Sequence, residues 1–497
     1  MRRAAAGVLG LILLVLPGVP AALASNGAAA IAIGGRAAGR GGADAALADD
    51  AISLQLNPAG MLRTRGLRLD LQNMVLIGRD RLVNERNDSL VSAPAWFVPA
   101  IGAILDPAGP NSAFRIGFAL TTPFGAGGER NFKTEVYPEG EVEELAFWDL
   151  RFGPALAWRP APPLRLGIGA FYNLLYLKVR SATTAGAGSA NGVVRVHYRN
   201  GAPVVPPEPI FVNGQQVTYD ELFALATTPD SNSASLYKLS SAFGHGFSLS
   251  AGAQWDVTPA LSVGLAYSSP TFFTSLEGDA DIDATSAIAA INADPDFSAI
   301  AGALLGAFMP DGQSATFLAR YRYRIEGFAL PQSISAGLAF WPAERLNLSA
   351  DLRWYNWADA FSTLDVKLEG GTNRNINEIN GGDGIETRVE LEWKNMLVAA
   401  AGVSFAPTER LTLRAGYNYS TNPIRKNRAG SGAPFYDHHL AGGLSFFPWP
   451  STGITAAVVY ALPVEARNDV HPGNPAYSFT AFKAEQLFIY FGLSLEF

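Results

Sequence analysis

Residues Gly34–Met61 read GGRAAGRGGADAALADDAISLQLNPAGM, and this stretch determines how the rest of the chain must be arranged. It consists mainly of glycine, alanine and short polar residues. It predicts one short helix over about Ala43–Leu47, because alanine favours helix and Asp44 suits a first turn. A segment with so few large apolar side chains cannot bury a core of its own. The remainder of the chain must therefore enclose it.

Residues 1–24 have the features of a cleaved export signal. Two N-terminal arginines precede an apolar core at Val8–Val19, and the small residues Ala22–Ala24 form a cleavage site. The alternative is an uncleaved N-terminal anchor. The chain of 497 residues contains no cysteine, which excludes disulfides, thiolate metal sites and cysteine nucleophiles. Its formal charge of −7 excludes a basic surface for nucleic acid.

From Gly66 onward the chain alternates apolar and polar residues, which is the period of a β-strand. Beyond the leader there is no apolar run of about 18 residues, so membrane-spanning helices are not expected. The clearest alternating stretches are Leu67–Leu71, Phe114–Leu120, Leu164–Tyr172, Phe247–Trp255, Leu261–Tyr267, Leu346–Leu352 and Leu411–Tyr417. One apolar and one polar face fit either a sandwich in water or a barrel in lipid.

The lengths of the connections favour the barrel. Short proline-containing turns are expected at Asp106–Asn111, Arg159–Pro163, Asp256–Ala260, Trp341–Arg345, Ala406–Arg410 and Phe447–Thr452. Long polar connections lie between them, at Gly78–Leu90, Pro123–Glu144, Ser181–Leu239, Glu277–Thr316, Gly370–Ile385, Asn422–Phe435 and Glu465–Ala481. Short and long connections alternate throughout, as in bacterial outer-membrane barrels with tight periplasmic turns and long outer loops.

These connections predict an all-β fold, a transmembrane antiparallel β-barrel of about 14 strands. The last strand ends on Phe497 after alternating apolar residues, which resembles the strand that the barrel-insertion machinery recognises. In lipid the sheet must close. A ring of this size is too wide for its own side chains to fill, so its lumen holds water or a plug. The Gly34–Met61 stretch, just before the first strand, is the candidate plug.

The chain resembles the FadL-type transporters of long-chain fatty acids and hydrocarbons. The resemblance rests on Asp49-Asp50 followed by Asn57-Pro58-Ala59-Gly60, on Thr122–Gly125 and on the terminal Phe497. It implies a multi-pass protein of the bacterial outer membrane, divided into a signal peptide (1–24), an N-terminal tail and hatch (25–65) and the barrel (66–497). It also implies passive uptake of hydrophobic molecules, a plugged lumen and sideways release into the membrane.

The resemblance further implies three groups of site residues. The hatch or gate residues are Asp49, Asp50, Asn57, Pro58, Ala59 and Gly60. The candidates for a lateral opening at the third strand are Gly117, Pro123, Phe124 and Gly125. The candidates for ligand capture on the outer loops are Phe211, Leu222, Phe223, Leu304, Leu305, Phe308 and Met309. The family's N-terminal tail reaches into the binding pocket as a gate, and here that tail would be Ser25–Ile33.

Several of these interpretations have structural alternatives. Gly117 is otherwise a small inward-facing residue, and Ala299–Met309 a loop helix packed on its neighbour. Asp49 and Asp50 either pair with nearby arginines or lie on a solvated surface. The inward-facing arginines either meet a ligand carboxylate or balance acids; they are Arg151, Arg165, Arg353 and Arg414.

A general diffusion porin is the main alternative function, and an outer-membrane lipid-modifying enzyme is the weaker one. The sequence has no HExxH and no GxSxG motif, so no enzyme activity is expected. No cofactor and no metal are expected either. The expected partners are a hydrophobic small molecule, outer-membrane lipid and lipopolysaccharide, and the barrel-insertion machinery.

Overall fold

The computed structural model describes most of the chain after residue 25. The described residues are 26–64, 66–90, 96–107, 112–134, 137–184, 198–199, 202–203, 211–212, 215–216, 234–286, 289, 317–374, 376–377, 382–430, 436–471 and 475–497.

Within these residues the chain forms fourteen barrel strands, several of them in two or three segments. They are β1 (Arg68–Gly78 and Arg81–Val83), β2 (Asp88–Leu90 and Trp96–Leu105), β3 (Phe114–Phe132), β4 (Glu141–Ala161), β5 (Leu164–Thr184), β6 (Ala234–Thr258), β7 (Leu261–Ser268, Thr271–Phe273 and Leu276–Asp283), β8 (Leu318–Glu326, Ala329–Leu330 and Ser333–Ala343), β9 (Leu346–Tyr355 and Thr363–Glu369), β10 (Ile385–Glu390 and Met396–Thr408), β11 (Leu411–Ser420), β12 (His438–Trp449), β13 (Thr452–Asn468) and β14 (Thr480–Glu496).

Each strand is antiparallel to the next, and the ring closes where β14 pairs with β1 from Arg68 opposite Glu496 to Gly78 opposite Gln486. Closure gives the backbone groups of the first and last strands partners, as a sheet in lipid requires. The predicted barrel of about fourteen antiparallel strands is confirmed.

The helical elements are short. Those that lie wholly within the described residues are α1 (Gly35–Gly39), α2 (Trp357–Ala360) and the 3-10 turns Ser53–Gln55, Pro58–Arg63 and Pro475–Tyr477. In the part of the chain that the structure describes, no helix has the length and apolar character needed to cross a membrane.

The two faces of the strands have opposite chemistry. Apolar side chains point outward and are exposed, for example Ile168 at 62% and Leu352 at 63%. Their neighbours along the chain, including Arg165 and Asp351, point inward and are buried. A large exposed apolar surface around a buried polar interior is the arrangement expected of a barrel surrounded by lipid.

Proline residues mark the ends of the strands at the short turns. In four of the strands that enter these turns, the pairing register shifts by a bulge that contains a proline: Pro160, Pro342, Pro407 and Pro448. Proline lacks an amide hydrogen and is therefore tolerated at a bulge, where one residue is left unpaired. The prolines thus end the ladder at positions where no backbone amide hydrogen is needed.

Residues Asn26–Thr64, here called the luminal segment, lie inside the barrel and are almost entirely buried. The helix predicted over Ala43–Leu47 is wrong. The α-helix of this segment is α1, and residues 45–47 form only a turn. The reason is a contact distant in sequence: the backbone amides of Asp44 and Ala45 donate to Asp351 Oδ2 of β9, at 2.7 and 2.8 Å.

Candidate functional site: the luminal segment and the free edge of β3

Polar side chains of the barrel wall hold the luminal segment by its backbone. Besides Asp351, Asp70 Oδ2 of β1 accepts the amide of Ala51 at 2.7 Å. Gln254 of β6 donates its side-chain amide to the carbonyls of Ala45 and Leu47, at 3.3 and 3.2 Å. These contacts satisfy buried backbone groups that lie outside regular structure. The segment is therefore attached to β1, β6 and β9 rather than lying loosely in the lumen.

The Asn57–Gly60 motif forms the lower turn of the segment. Asn57 Oδ1 accepts the amide of Ala59 at 3.2 Å, and Asn57 Nδ2 donates to the carbonyl of Ala45 at 2.7 Å. Pro58 begins the following 3-10 turn with its fixed φ. Gly60 is required by close approach, since a Cβ there would lie 2.3 Å from the carbonyl oxygen of Ala48.

The two adjacent acids differ in role. Asp49 forms ion pairs with Arg40 at 2.9 Å and Arg36 at 3.5 Å. Burial works against ionisation, but these two guanidinium groups hold the pKa of Asp49 well below its usual range. Asp50 Oδ1 instead accepts the backbone amides of residues 52 and 53, at 3.1 and 2.8 Å. Burial, with Asp70 and Asp49 nearby, raises the pKa of Asp50.

Asp44 is the acid of this segment with a pKa near neutrality. It pairs with Arg40 and accepts the hydroxyl of Ser53 at 2.6 Å. Burial raises the pKa of Asp44 to about 7, against the attraction of Arg40. The docked segment therefore holds a proton at Asp44 at pH values where the undocked segment has lost it.

The docking of the luminal segment should weaken as the pH rises. A folded-state pKa above the unfolded value stabilises the docked form below about pH 4, and this contribution is lost as the pH rises through about 7. Asp50 acts with the same sign, whereas the lowered pKa of Asp49 lies below this window. We expect amide hydrogen-exchange protection factors of residues 43–53 to fall by about tenfold or more between pH 5 and pH 8.

Asp44→Asn should remove most of this pH dependence, and the protection factors of β11 supply the control. If the protection factors of residues 43–53 fell more steeply with pH in the Asp44→Asn variant than in the parent chain, the assignment of the pH dependence to Asp44 would be contradicted.

The ladder between β2 and β3 is incomplete. It runs from Leu105 opposite Ile116 to Ile101 opposite Leu120, and in the described residues β3 makes no further pairs with β2 above Leu120. On its other side, β3 continues to pair with β4 after a bulge at residues 121–124. Among the described residues, the part of β3 above Leu120 thus lacks ladder partners on β2, and we call it the free edge of β3.

The first residues of the luminal segment occupy this free edge. The amide of Ala30 donates to the carbonyl of Pro123 at 3.0 Å, and the amide of Gly125 donates to the carbonyl of Ala28 at 2.9 Å. Between them Ala29 and Phe124 form an antiparallel bridge. We call residues Asn26–Ala30 the tail. The tail supplies backbone partners that β2 does not.

Three of the four candidates for the lateral opening, Pro123, Phe124 and Gly125, lie at this tail contact. Gly117 lies lower, where β3 is still paired on both sides. A Cβ at Gly117 would lie 2.5 Å from Met61 Sδ and 2.8 Å from Leu54. Gly117 therefore has the packing role of a small inward residue against the luminal segment.

A cavity of about 80 Å³ lies between the luminal segment and the wall. The segment lines it with apolar residues and with Asp44, Ser53 and Gln55, and the wall lines it with residues that include Phe124, Arg151, Arg353 and Tyr355. The guanidinium of Arg151 lies 5.5 Å from the Phe124 ring centre. Arg353 donates to Ser335 Oγ at 2.8 Å and to the Tyr355 hydroxyl at 3.2 Å.

The other two inward arginines have partners away from this cavity. Arg165 binds Asp256 in a two-pronged ion pair, and Arg414 donates to Ser445 Oγ at 2.8 Å. Of the four arginines that the sequence identified, only Arg151 and Arg353 line the cavity.

An aromatic cluster joins the upper part of the cavity, and its members are Phe124, Phe147, Phe328, Trp357, Phe361 and Trp393. Trp357 is fully buried, with ring centres 6.0 Å from Phe124, 5.0 Å from Phe361 and 5.1 Å from Trp393. Phe361 continues the contacts to Phe328 at 5.5 Å. The sequence interpretation missed this cluster. The available signal was the pair of aromatics at 357 and 361, between two alternating stretches.

The proposed capture residues Leu222, Phe223, Leu304, Leu305, Phe308 and Met309 lie outside the described residues. Phe211 is described only through its backbone, which pairs with Gln216 in a two-residue ladder.

Solved structures with the same fold include several transport proteins. The toluene transporter TodX of P. putida is 16% identical, with a TM-score of 0.69, over 94% of this chain and 99% of that one. The Ralstonia pickettii toluene transporter TbuX is 14% identical, with a TM-score of 0.66, over 94% and 99%. A Pseudomonas aeruginosa FadL homologue is 16% identical, with a TM-score of 0.64, over 95% and 100%. No curated protein sequence gives a significant match.

The sequence profile of one family spans nearly the whole chain. The family is described as "Outer membrane protein transport protein (OMPP1/FadL/TodX)", and its profile matches residues 20–485. This match confirms the resemblance noted in the sequence and the expected location in the outer membrane. The chain therefore belongs to the OMPP1/FadL/TodX family of outer-membrane transport proteins, and it is a multi-pass transport protein rather than an enzyme.

Proposed function

We propose that this chain mediates passive uptake of hydrocarbons or long-chain fatty acids, which leave the barrel sideways between β2 and β3. The observation that carries the proposal is the edge of β3 above Leu120, which among the described residues pairs with the tail at Pro123–Gly125 and not with β2. Residues 25–65 then act as tail and hatch, and the tail must leave β3 before a ligand can pass.

The physical reason for a sideways route is the insolubility of the cargo. Each methylene moved out of water contributes about 0.8 kcal/mol, so a water-filled pore serves a long apolar molecule badly. A path from the aromatic cluster into the bilayer keeps the molecule out of water throughout. Phe124 belongs to both the aromatic cluster and the free edge, so the cluster reaches the proposed exit.

The cavity is too small for the proposed cargo while the tail lines it, which supports movement of the tail. An engineered apolar cavity of about 150 Å³ is known to hold benzene. The cavity here, at about 80 Å³, is smaller, and Ala29 and Ala30 form part of its wall. Displacing the tail would enlarge the cavity and uncover the free edge in one step.

The lining of the cavity is compatible with both classes of cargo. Arg151 and Arg353 would bind a fatty-acid carboxylate, whereas the aromatic cluster offers ring contacts to a hydrocarbon. The relatives TodX and TbuX are described as toluene transporters, which supports trying aromatic hydrocarbons first.

The proposed partners follow from the outer surface. The apolar outward face would contact outer-membrane lipid, with lipopolysaccharide around the loops. The C-terminal Phe497 is 74% exposed, and its amide donates to Leu67 at 2.8 Å, so its ring is accessible to the insertion machinery.

Reconstitution tests the proposal against the porin alternative. The purified chain in liposomes should accelerate the entry of labelled toluene or oleate over empty liposomes. Small sugars should cause no swelling beyond the background. Brisk sugar entry without selective uptake of either apolar probe would identify a general porin.

A further inference from the structure

Two buried residues beside the aromatic cluster carry polar atoms without partners. Within the described part of the chain, Trp357 Nε1 and both side-chain polar atoms of Asn26 make no hydrogen bond, although each residue is 0% exposed. Buried polar groups in native structures are nearly always paired, so these exceptions require an explanation.

The tail covers the indole nitrogen without binding it. A Cβ at Gly27 would lie 2.8 Å from Trp357 Nε1, so the glycine lies directly against this edge of the ring. Gly27 has φ +64°, and Asn26 and Ala29 close the turn around it by two backbone hydrogen bonds. The tail therefore packs against the ring beside the indole N–H, and the described residues place no acceptor in the space at this donor.

We propose that this space binds the oxygen of a neutral hydroxylated apolar molecule, such as a phenol, when the tail is displaced. The inference rests on the proposed uptake function and specifies its substrate class. An indole N–H is only a donor, so the ligand must carry an acceptor. The hydroxyl oxygen of a phenol supplies that acceptor.

The surroundings favour a neutral oxygen over a charged one. The ring contacts of Trp357 are Phe124, Tyr355, Phe361 and Trp393. An ionised group placed among aromatic rings loses hydration that they do not replace. A hydrocarbon would leave the polar atoms unpaired, and sites built around a hydrogen bond discriminate against ligands that lack it.

Equilibrium binding of p-cresol and toluene, which differ by one hydroxyl, tests the proposal. The full chain in lipid nanodiscs is compared with Trp357→Phe, which keeps a ring but removes the N–H. We expect the p-cresol affinity of this variant to fall by about tenfold while its toluene affinity stays within about twofold.

The matched control is Trp393→Phe, in the same cluster but without a buried unpaired nitrogen. Trp393→Phe should change the affinities for p-cresol and toluene by about the same factor, so that their ratio stays close to that of the parent chain. An unchanged p-cresol to toluene affinity ratio in Trp357→Phe would overturn the proposal, as would stronger binding of p-toluate, the charged analogue, than of p-cresol. Failure of the parent chain to bind any of the three would instead count against the proposed uptake function.

Discussion

A disulfide between positions 29 and 124 is expected to stop uptake of hydrophobic compounds, and a reductant is expected to restore it. Ala29 and Phe124 form an antiparallel bridge, in which Cα atoms lie about 4.5–5.5 Å apart. That spacing suits a disulfide. The natural chain has no cysteine, so Ala29→Cys with Phe124→Cys introduces the only pair. The locked tail would keep the free edge of β3 covered.

The expected loss of uptake is about tenfold or more, because a ligand binds only the fraction of molecules whose tail has left. Comparing the oxidised and reduced forms of one variant cancels the effect of removing the Phe124 ring. The control pair is Val403→Cys with Ala415→Cys, which join β10 to β11 within the fixed wall. Equal uptake by the oxidised and reduced forms of the tail variant would show that the tail need not move.

The sequence predicted the wall of this barrel well, because the wall depends on local alternation. In Phe114–Leu120 each outward residue is apolar and each inward residue is small or polar, and the structure has both faces as predicted. A period of two residues fixes which side chain faces lipid without any knowledge of its partner strand. Closure of the barrel also follows from this pattern, because a sheet surrounded by lipid cannot leave the backbone groups of its edges unpaired.

The interior was less predictable, because its contacts join residues distant in the sequence. Asp351 accepts hydrogen bonds from the backbone amides of Asp44 and Ala45, which lie more than 300 residues earlier in the sequence. The turn held by these hydrogen bonds stands where the sequence predicted a helix. The aromatic cluster likewise combines β3, β4 and the interruptions between the segments of β8, β9 and β10. Trp357 escaped notice because it lies where the alternation is interrupted, and only the folded chain brings it to the tail.

Deleting Asn26–Arg63 behind an intact leader is expected to convert the protein into an open pore. Fourteen strands enclose a lumen that the wall side chains cannot fill, so removing the luminal segment should admit water and small sugars. We expect sugar-driven liposome swelling to rise by about tenfold or more over the parent chain, approaching an open porin. In this deletion variant, uptake of hydrophobic compounds should no longer require displacement of the tail.

The barrel should survive this deletion because the anchoring groups of the wall are polar. Asp70 and Asp351 would exchange backbone amides of the segment for water, and Gln254 would exchange backbone carbonyls for water, so none of these three side chains would remain buried without a partner. A milder variant checks the same point in the full chain. Gly264→Val should loosen the segment, since a Cβ there would lie 2.2 Å from the Ala45 carbonyl oxygen. Gly442→Val, where the nearest atom is 3.9 Å away, is its control. Swelling that stays at the parent level in both the deletion and Gly264→Val, with the β-structure intact by circular dichroism, would mean that something other than the luminal segment closes the pore.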